Sequence, residues 1–123
     1  MSHDELNVEI RTEPTSDGVI YRLSGSLDLA TSPSVRAALL ESADAGKHDI
    51  IVDLCQLEFL DSTGLGALIG AHRRALEHGG RVRLIVNDGP IARLLNVTGL
   101  VRVFAVYRTL DDALADRDRV PAS

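Results

Sequence analysis

The sequence predicts an α/β fold: a mostly parallel sheet of four to five strands, an antiparallel strand at its edge, and about four helices. Three observations carry this. Segments with a two-residue apolar period alternate with segments of helical period along the 123-residue chain. One short run, Ile50–Leu54 (IIVDL), is apolar almost throughout, as a strand buried on both faces requires. Helix-like segments are bounded by cap and breaker residues, so β-α-β units repeat, and such units build parallel sheets with helices packed on them.

The elements follow in order. Leu6, Val8 and Ile10 alternate with polar residues, so residues 6–12 read as a strand. Pro14 to Gly18 supplies a turn, and Val19–Leu23 returns as a hairpin partner. Ser32-Pro33 reads as a helix start, a hydroxyl N-cap followed by proline. Val35, Ala38, Leu39 and Leu40 form its apolar face, and Ala45-Gly46 ends it. The IIVDL strand leads into Cys55–Phe59 (CQLEF), read as a loop. Leu65, Leu68, Ile69, His72 and Leu76 then fall on one helical face, stopped by Gly79-Gly80. Arg81–Val86 is a strand; Pro90 opens a helix carrying Ile91, Leu94 and Leu95; Thr98-Gly99 closes it. Val101–Val106 reads as the last strand. Thr109 caps a final helix with acids in its first turn, where the dipole favours them. Residues 1–117 are expected to form a single domain, and 118–123 a flexible tail.

Composition narrows the function. Thirteen Lys and Arg against eighteen Asp and Glu leave a net charge of −5. That argues against broad electrostatic binding to nucleic acid or to anionic lipid. Two Phe, two Tyr and no Trp leave little for a base-stacking platform. A single cysteine, Cys55, cannot close an intrachain disulfide and suits a reducing compartment. The start, MSHDELN, lacks the basic and apolar pattern of a secretion signal, and no apolar run reaches the length of a membrane span. The expected location is the cytoplasm, with no membrane contact.

The chemically suggestive stretch is Asp61-Ser62-Thr63-Gly64, at the start of a helix. Such residues are ordinary N-terminal caps. The sharper reading makes Ser62 a phosphoacceptor, its phosphate facing free backbone N–H groups and the positive end of the dipole. Gly64 and Gly66 lack side chains, so a partner backbone can approach there. Catalytic readings fail. A nucleophile elbow needs glycine where Leu60 stands. An aspartic protease loop needs glycine where Thr63 stands. No phosphate-binding GxxxxGK[ST] loop occurs. His3, His48, His72 and His78 have no metal-ligand spacing with Cys55 and read as surface or helix-end residues. Cys55 reads as a small apolar filler. Arg73, Arg74, Arg81 and Arg83 read as solvated. Asn96-Val97-Thr98 matches a glycosylation sequon that a cytoplasmic chain would never present to the enzyme. No cofactor, metal or enzymatic activity is expected.

The segments LSGSLDLATSPSVRAAL (23–39), IIVDLCQLEFLDSTGLGALIGAHRRA (50–75) and VTGLVRVFAVYRTLDDAL (97–114) resemble the STAS-domain anti-sigma factor antagonist family. The resemblance covers nearly the whole chain. Its specific part is the central one: strand, short connection, Asp-Ser-Ser/Thr-Gly-Leu-Gly, helix. It implies a STAS-like fold and partner switching. The unmodified protein would bind an anti-sigma serine kinase and free a sigma factor; phosphorylation would release the kinase, and a phosphatase would reset the site. Ser62 is then the phosphorylated residue, and Asp28, Asp61, Ser62, Thr63, Gly64 and Gly66 form the partner-binding set. Asp28 matches the acid that the family places near the phosphorylation loop. Ser26 departs from the pattern, since many members carry Glu there. Two other readings stay open: an unphosphorylated STAS subunit of a larger transport or signalling assembly, and a small-ligand binder or enzyme using the loop around Ser62.

Overall fold

A computed structural model describes residues 7–116; the expected tail at 118–123 and the first strand's Leu6 lie outside them. The sheet has five strands in the spatial order β1-β2-β3-β4-β5: Val8–Pro14, Gly18–Leu27, Asp49–Leu60, Arg81–Ile85 and Ala105–Tyr107. β1 is antiparallel to β2 and lies at one edge; β2, β3, β4 and β5 run parallel. Four helices alternate with them: α1 (Ser32–Asp44), α2 (Ser62–Glu77), α3 (Pro90–Val97) and α4 (Leu110–Ala115).

The two-residue period sorts the strands. Val19, Tyr21, Leu23, Ile50, Val52, Leu54, Val82 and Leu84 face one way and pack with Val35 and Leu39 of α1, Leu65, Leu68, Ala71 and Ala75 of α2, and Leu95 of α3. Ile20, Ile51 and Ile85 face the other way, against Ala113 of α4. The IIVDL strand is therefore buried on both faces, as its composition requires.

Several local expectations are corrected. Cys55–Phe59 is strand, because β3 keeps pairing with β2 through two register irregularities to Leu27↔Leu60. Its polar residues, Gln56 and Glu58, reflect exposure beyond the end of β4 rather than a turn. Val101–Val106 is not one strand. Gly99, at φ 80°, opens a 3-10 turn over Leu100–Arg102, and only Ala105–Tyr107 joins the sheet. β-branched composition misled there, because Val101 and Val103 are exposed while Phe104 is the buried anchor. In α2 the inward position is Ala75; Leu76 points to solvent. Thr31 occupies the N-cap position of α1, with Ser32 inside the first turn.

Two polar residues, Arg83 read as solvated and His72 read as a surface or helix-end residue, are core residues. Arg83 is fully buried, its guanidinium donating to both carboxylate oxygens of Asp49 (2.9 and 2.6 Å) and to the Ala113 carbonyl (2.7 Å). It also lies over the Tyr107 ring, 5.3 Å from the centroid. Burial works against its charge, but the bonds to Asp49 and the nearness of Tyr107 outweigh it and raise its pKa. This pair ties the underside of β3 and β4 to α4. His72 is buried against Phe104, and its Nδ1 accepts the Val82 N–H at 3.0 Å. Nδ1 is thus an acceptor, and burial lowers the imidazole pKa.

Candidate functional site

The site forms where β2 and β3 end side by side. Leu27 is in register with Leu60, and the Asp61 N–H donates to the Leu27 carbonyl at 3.2 Å. The chain then turns into α2, so residues 28–31 and 61–64 share one end of the sheet.

Asp61 is the N-cap of α2. Its backbone is extended (φ −111°, ψ −172°), and its Oδ1 accepts the N–H groups of Thr63 (2.9 Å) and Gly64 (3.1 Å). The Thr63 hydroxyl donates to the same oxygen. The Leu29 backbone also helps to hold this carboxylate charged. The Thr63 hydroxyl bond is the largest cause holding Asp61 below the usual carboxylate pKa; burial opposes it, and the backbone of Gly64, Thr63 and Leu29 reinforces it.

Ser62 is the first residue of α2 and is exposed. Its hydroxyl makes no hydrogen bond among the described residues. The capping role that Asp-Ser-Thr suggests falls to Asp61, which leaves the Ser62 hydroxyl without structural employment. One expectation changes: the N–H groups of Thr63 and Gly64 are already occupied by Asp61. A group on the Ser62 oxygen meets the positive end of the helix but not those two donors.

Asp28 folds the neighbouring loop. Its Oδ1 accepts the N–H groups of Ala30 (3.0 Å) and Thr31 (3.2 Å) and the Thr31 hydroxyl (3.2 Å). Thr31 also donates to the Ser26 carbonyl at 2.8 Å and accepts from the Asp28 N–H at 2.9 Å. Asp28 is thus a turn residue whose second carboxylate oxygen makes no bond among the described residues.

The two glycines differ. Gly64 is buried: a β-carbon there would lie 2.6 Å from Leu60 Cδ1 and 2.8 Å from Leu27 Cγ, so its bareness serves internal packing. Gly66 is exposed, with nothing near the place of a β-carbon. Two apolar side chains that no sequence pattern singled out flank the site: Leu29, 73% exposed, and Phe59, 51% exposed. Their signal was position, a leucine in a turn and an aromatic just before the cap. Cys55 belongs to neither group. Burial, then Asp53, pushes its thiol up to about 11, so it stays protonated and is no nucleophile at neutral pH.

The STAS domain model matches residues 7–113. The chain belongs to the STAS domain family. Over 116 residues it is 32% identical to the anti-sigma F factor antagonist of Paenibacillus polymyxa, covering 94% of this chain and 99% of that one. Among solved structures it resembles an anti-sigma factor antagonist from Mycobacterium paratuberculosis (TM-score 0.82, 26% identity, 94% and 97% of the two chains). It also resembles the Bacillus cell fate determinant SpoIIAA in its phosphorylated form (TM-score 0.69, 30% identity, 90% and 100%). As a STAS domain, the protein has the five-stranded mixed sheet of these neighbours. No helix among the described residues is long and apolar enough to cross a membrane.

Proposed function

We propose that this STAS domain is an anti-sigma factor antagonist: a cytoplasmic binding protein, not an enzyme, that docks on an anti-sigma serine kinase and so frees a sigma factor. The docking surface centres on Ser62, with Asp28, Asp61, Thr63, Gly64 and Gly66 shaping it. The kinase switches it off by moving the γ-phosphoryl group of ATP to the Ser62 oxygen. ADP leaves, the serine proton is lost, and a phosphatase later hydrolyses the phosphate.

The observation that carries this reading is the contrast between two adjacent hydroxyls. Thr63 is committed to Asp61, whereas Ser62 is exposed and bonded to nothing described. The names of the relatives support the regulatory role, and a phosphorylated neighbour structure supports a modifiable site. Energetics supports a switch. A phosphate at a helix start is tolerated, the dipole contributing about 0.3–1 kcal/mol. Forced into a desolvated interface beside the Asp61 carboxylate, it costs several kcal/mol, and each 1.4 kcal/mol is roughly tenfold in affinity.

The test is incubation with candidate anti-sigma kinases and ATP, followed by mass spectrometry of the modified peptide. Labelling is expected on Ser62 and should vanish in Ser62→Ala. Persistent label on Thr63, or no label with any kinase that binds, would remove the proposal. Ser62→Asp should keep near-native stability and bind its kinase at least about tenfold more weakly by calorimetric titration.

A further inference from the structure

The free edge of the sheet points to a second surface, remote in purpose from Ser62. Among the described residues β1 is the terminal strand of the sheet, paired with β2 on one side only. The ladder's parity is set at both ends: Ser26 N–H donates to the Asn7 carbonyl, and Thr15 N–H to the Gly18 carbonyl. Odd-numbered residues therefore exchange hydrogen bonds with β2, and the N–H and C=O groups of Val8, Ile10 and Thr12 point outward. The same alternation puts Val8 and Ile10 on the core face, where they pack half-buried against it, and puts Glu9, Arg11 and Glu13 on the opposite face.

Arg11 is the unusual member. It stands directly across from Arg22 of β2, while Arg22 is bonded to Glu13 (2.6 Å). Among the described residues Arg11 makes no hydrogen bond or ion pair. Charges on an edge strand ordinarily discourage pairing. Here the order Glu9-Arg11-Glu13 does so in most registers, but sets unlike charges opposite each other in two, centred on Ile10 and on Thr12.

We propose that β1 pairs antiparallel with β1 of a second copy about a two-fold axis at Ile10, forming a homodimer with one continuous sheet. In that register Val8 meets the partner copy's threonine at position 12, and the isoleucines at position 10 face each other. All three outward-facing residues then exchange backbone bonds, and Glu9 lies opposite the other copy's arginine at position 11 on both sides of the axis. The close, non-hydrogen-bonded positions carry these opposite charges, where they interact best. Shifting the axis by one residue either way sets Glu9 against itself or Arg11 against itself. Shifting it two residues toward Pro14 opposes Ile10 to a residue with no N–H. The Ile10 register alone joins charge complementarity to a full set of backbone bonds, and it buries the flank of Val8 and Ile10.

The test is sedimentation equilibrium of the full chain from low micromolar to about 1 mM, with circular dichroism to confirm folding. A monomer–dimer equilibrium is expected for the wild type. Glu9→Arg and Arg11→Glu should each weaken it about fivefold or more, and the double charge swap should restore it. Thr12→Pro removes an outward N–H that the internal ladder does not use, and should abolish the dimer in a folded protein. A wild type that stays monomeric throughout would overturn the proposal. So would a dimer indifferent to the single reversals, one not restored by the swap, or one that survives Thr12→Pro.

Discussion

Removing Asp49 should cost this domain a large share of its stability, although the residue is far in sequence from any functional motif. Asp49 is the carboxylate that faces the fully buried Arg83 with two bonds, at 2.9 and 2.6 Å. In Asp49→Ala the guanidinium keeps the Ala113 carbonyl and the Tyr107 ring but loses its counter-charge. Stranding one partner of a buried ion pair costs about 3–5 kcal/mol. A domain of this size has about 5–15 kcal/mol in total. Arg83→Met should cost less, because Asp49 keeps Arg81 at 3.6 Å. Asp49→Leu combined with Arg83→Met should be milder than Asp49→Ala, since the fully buried guanidinium is gone and only the partly exposed Arg81 loses Asp49. Urea unfolding followed by circular dichroism measures all three. In Arg83→Met, hydrogen exchange at Ala113–Ala115 should show α4 loosening first, because Arg83 holds its last turn. A loss below about 1 kcal/mol in Asp49→Ala, the range of a surface pair, would show that water solvates Arg83 and refute the argument.

Three further outcomes are expected. His72 accepts the Val82 N–H, so the fold binds its neutral form; the unfolded chain, with an ordinary value of 6.5, takes up the proton more readily. Stability should be full above that value and fall as pH drops through it, and urea midpoints from pH 8 to 5 (about the imidazole range) should lose this slope in His72→Leu. Gly64→Ala should cost about 1–3 kcal/mol through overpacking, whereas Gly66→Ala, in open space, should gain about 0.5–1 kcal/mol while weakening the kinase complex, as thermal melts and titrations will show. Asp28→Ala should lose about 1–2 kcal/mol with its loop bonds; Asp28→Asn keeps the acceptor, so binding lost in Asn at unchanged stability identifies the charge as what the partner reads.

What the sequence disclosed was periodicity and punctuation. The nine elements come in the expected order because Ile50–Leu54, Arg81–Ile85, Pro90 and Thr109 each carry a local cause. The misreadings share a different origin: burial is decided by neighbours remote in the chain. Arg83 looks like a surface residue until α4 folds over it. Cys55–Phe59 looks like a loop until β2 pairs with it. The site was legible as a polar cluster at a helix start. Its division of labour was not, because which of Asp61, Ser62 and Thr63 caps the helix depends on backbone angles at Asp61. Leu29 was invisible as a site residue because its exposure beside Asp61 is set by the turn that Asp28 folds.

That division of labour suggests why modification at Ser62 would switch binding without unfolding the domain. Asp61 is held below the ordinary carboxylate range, first by the Thr63 hydroxyl, and so stays charged at every physiological pH. It is a permanent negative charge beside the modifiable oxygen. In the free protein water screens the two, and the cap bonds do not involve Ser62. In a complex from which water is excluded, the same pair of charges repels. Asp61→Asn tests this directly. The amide oxygen can still accept the Thr63 and Gly64 N–H groups, so the cap survives while the charge is gone. The unmodified protein should bind its kinase with little change. The ratio between the affinities of the unmodified and phosphorylated forms should shrink, by about tenfold if the repulsion supplies 1.4 kcal/mol. Titration of both forms of wild type and Asp61→Asn measures that ratio. An unchanged ratio would mean that the phosphate acts by bulk or by its own desolvation, and that Asp61 serves only the helix.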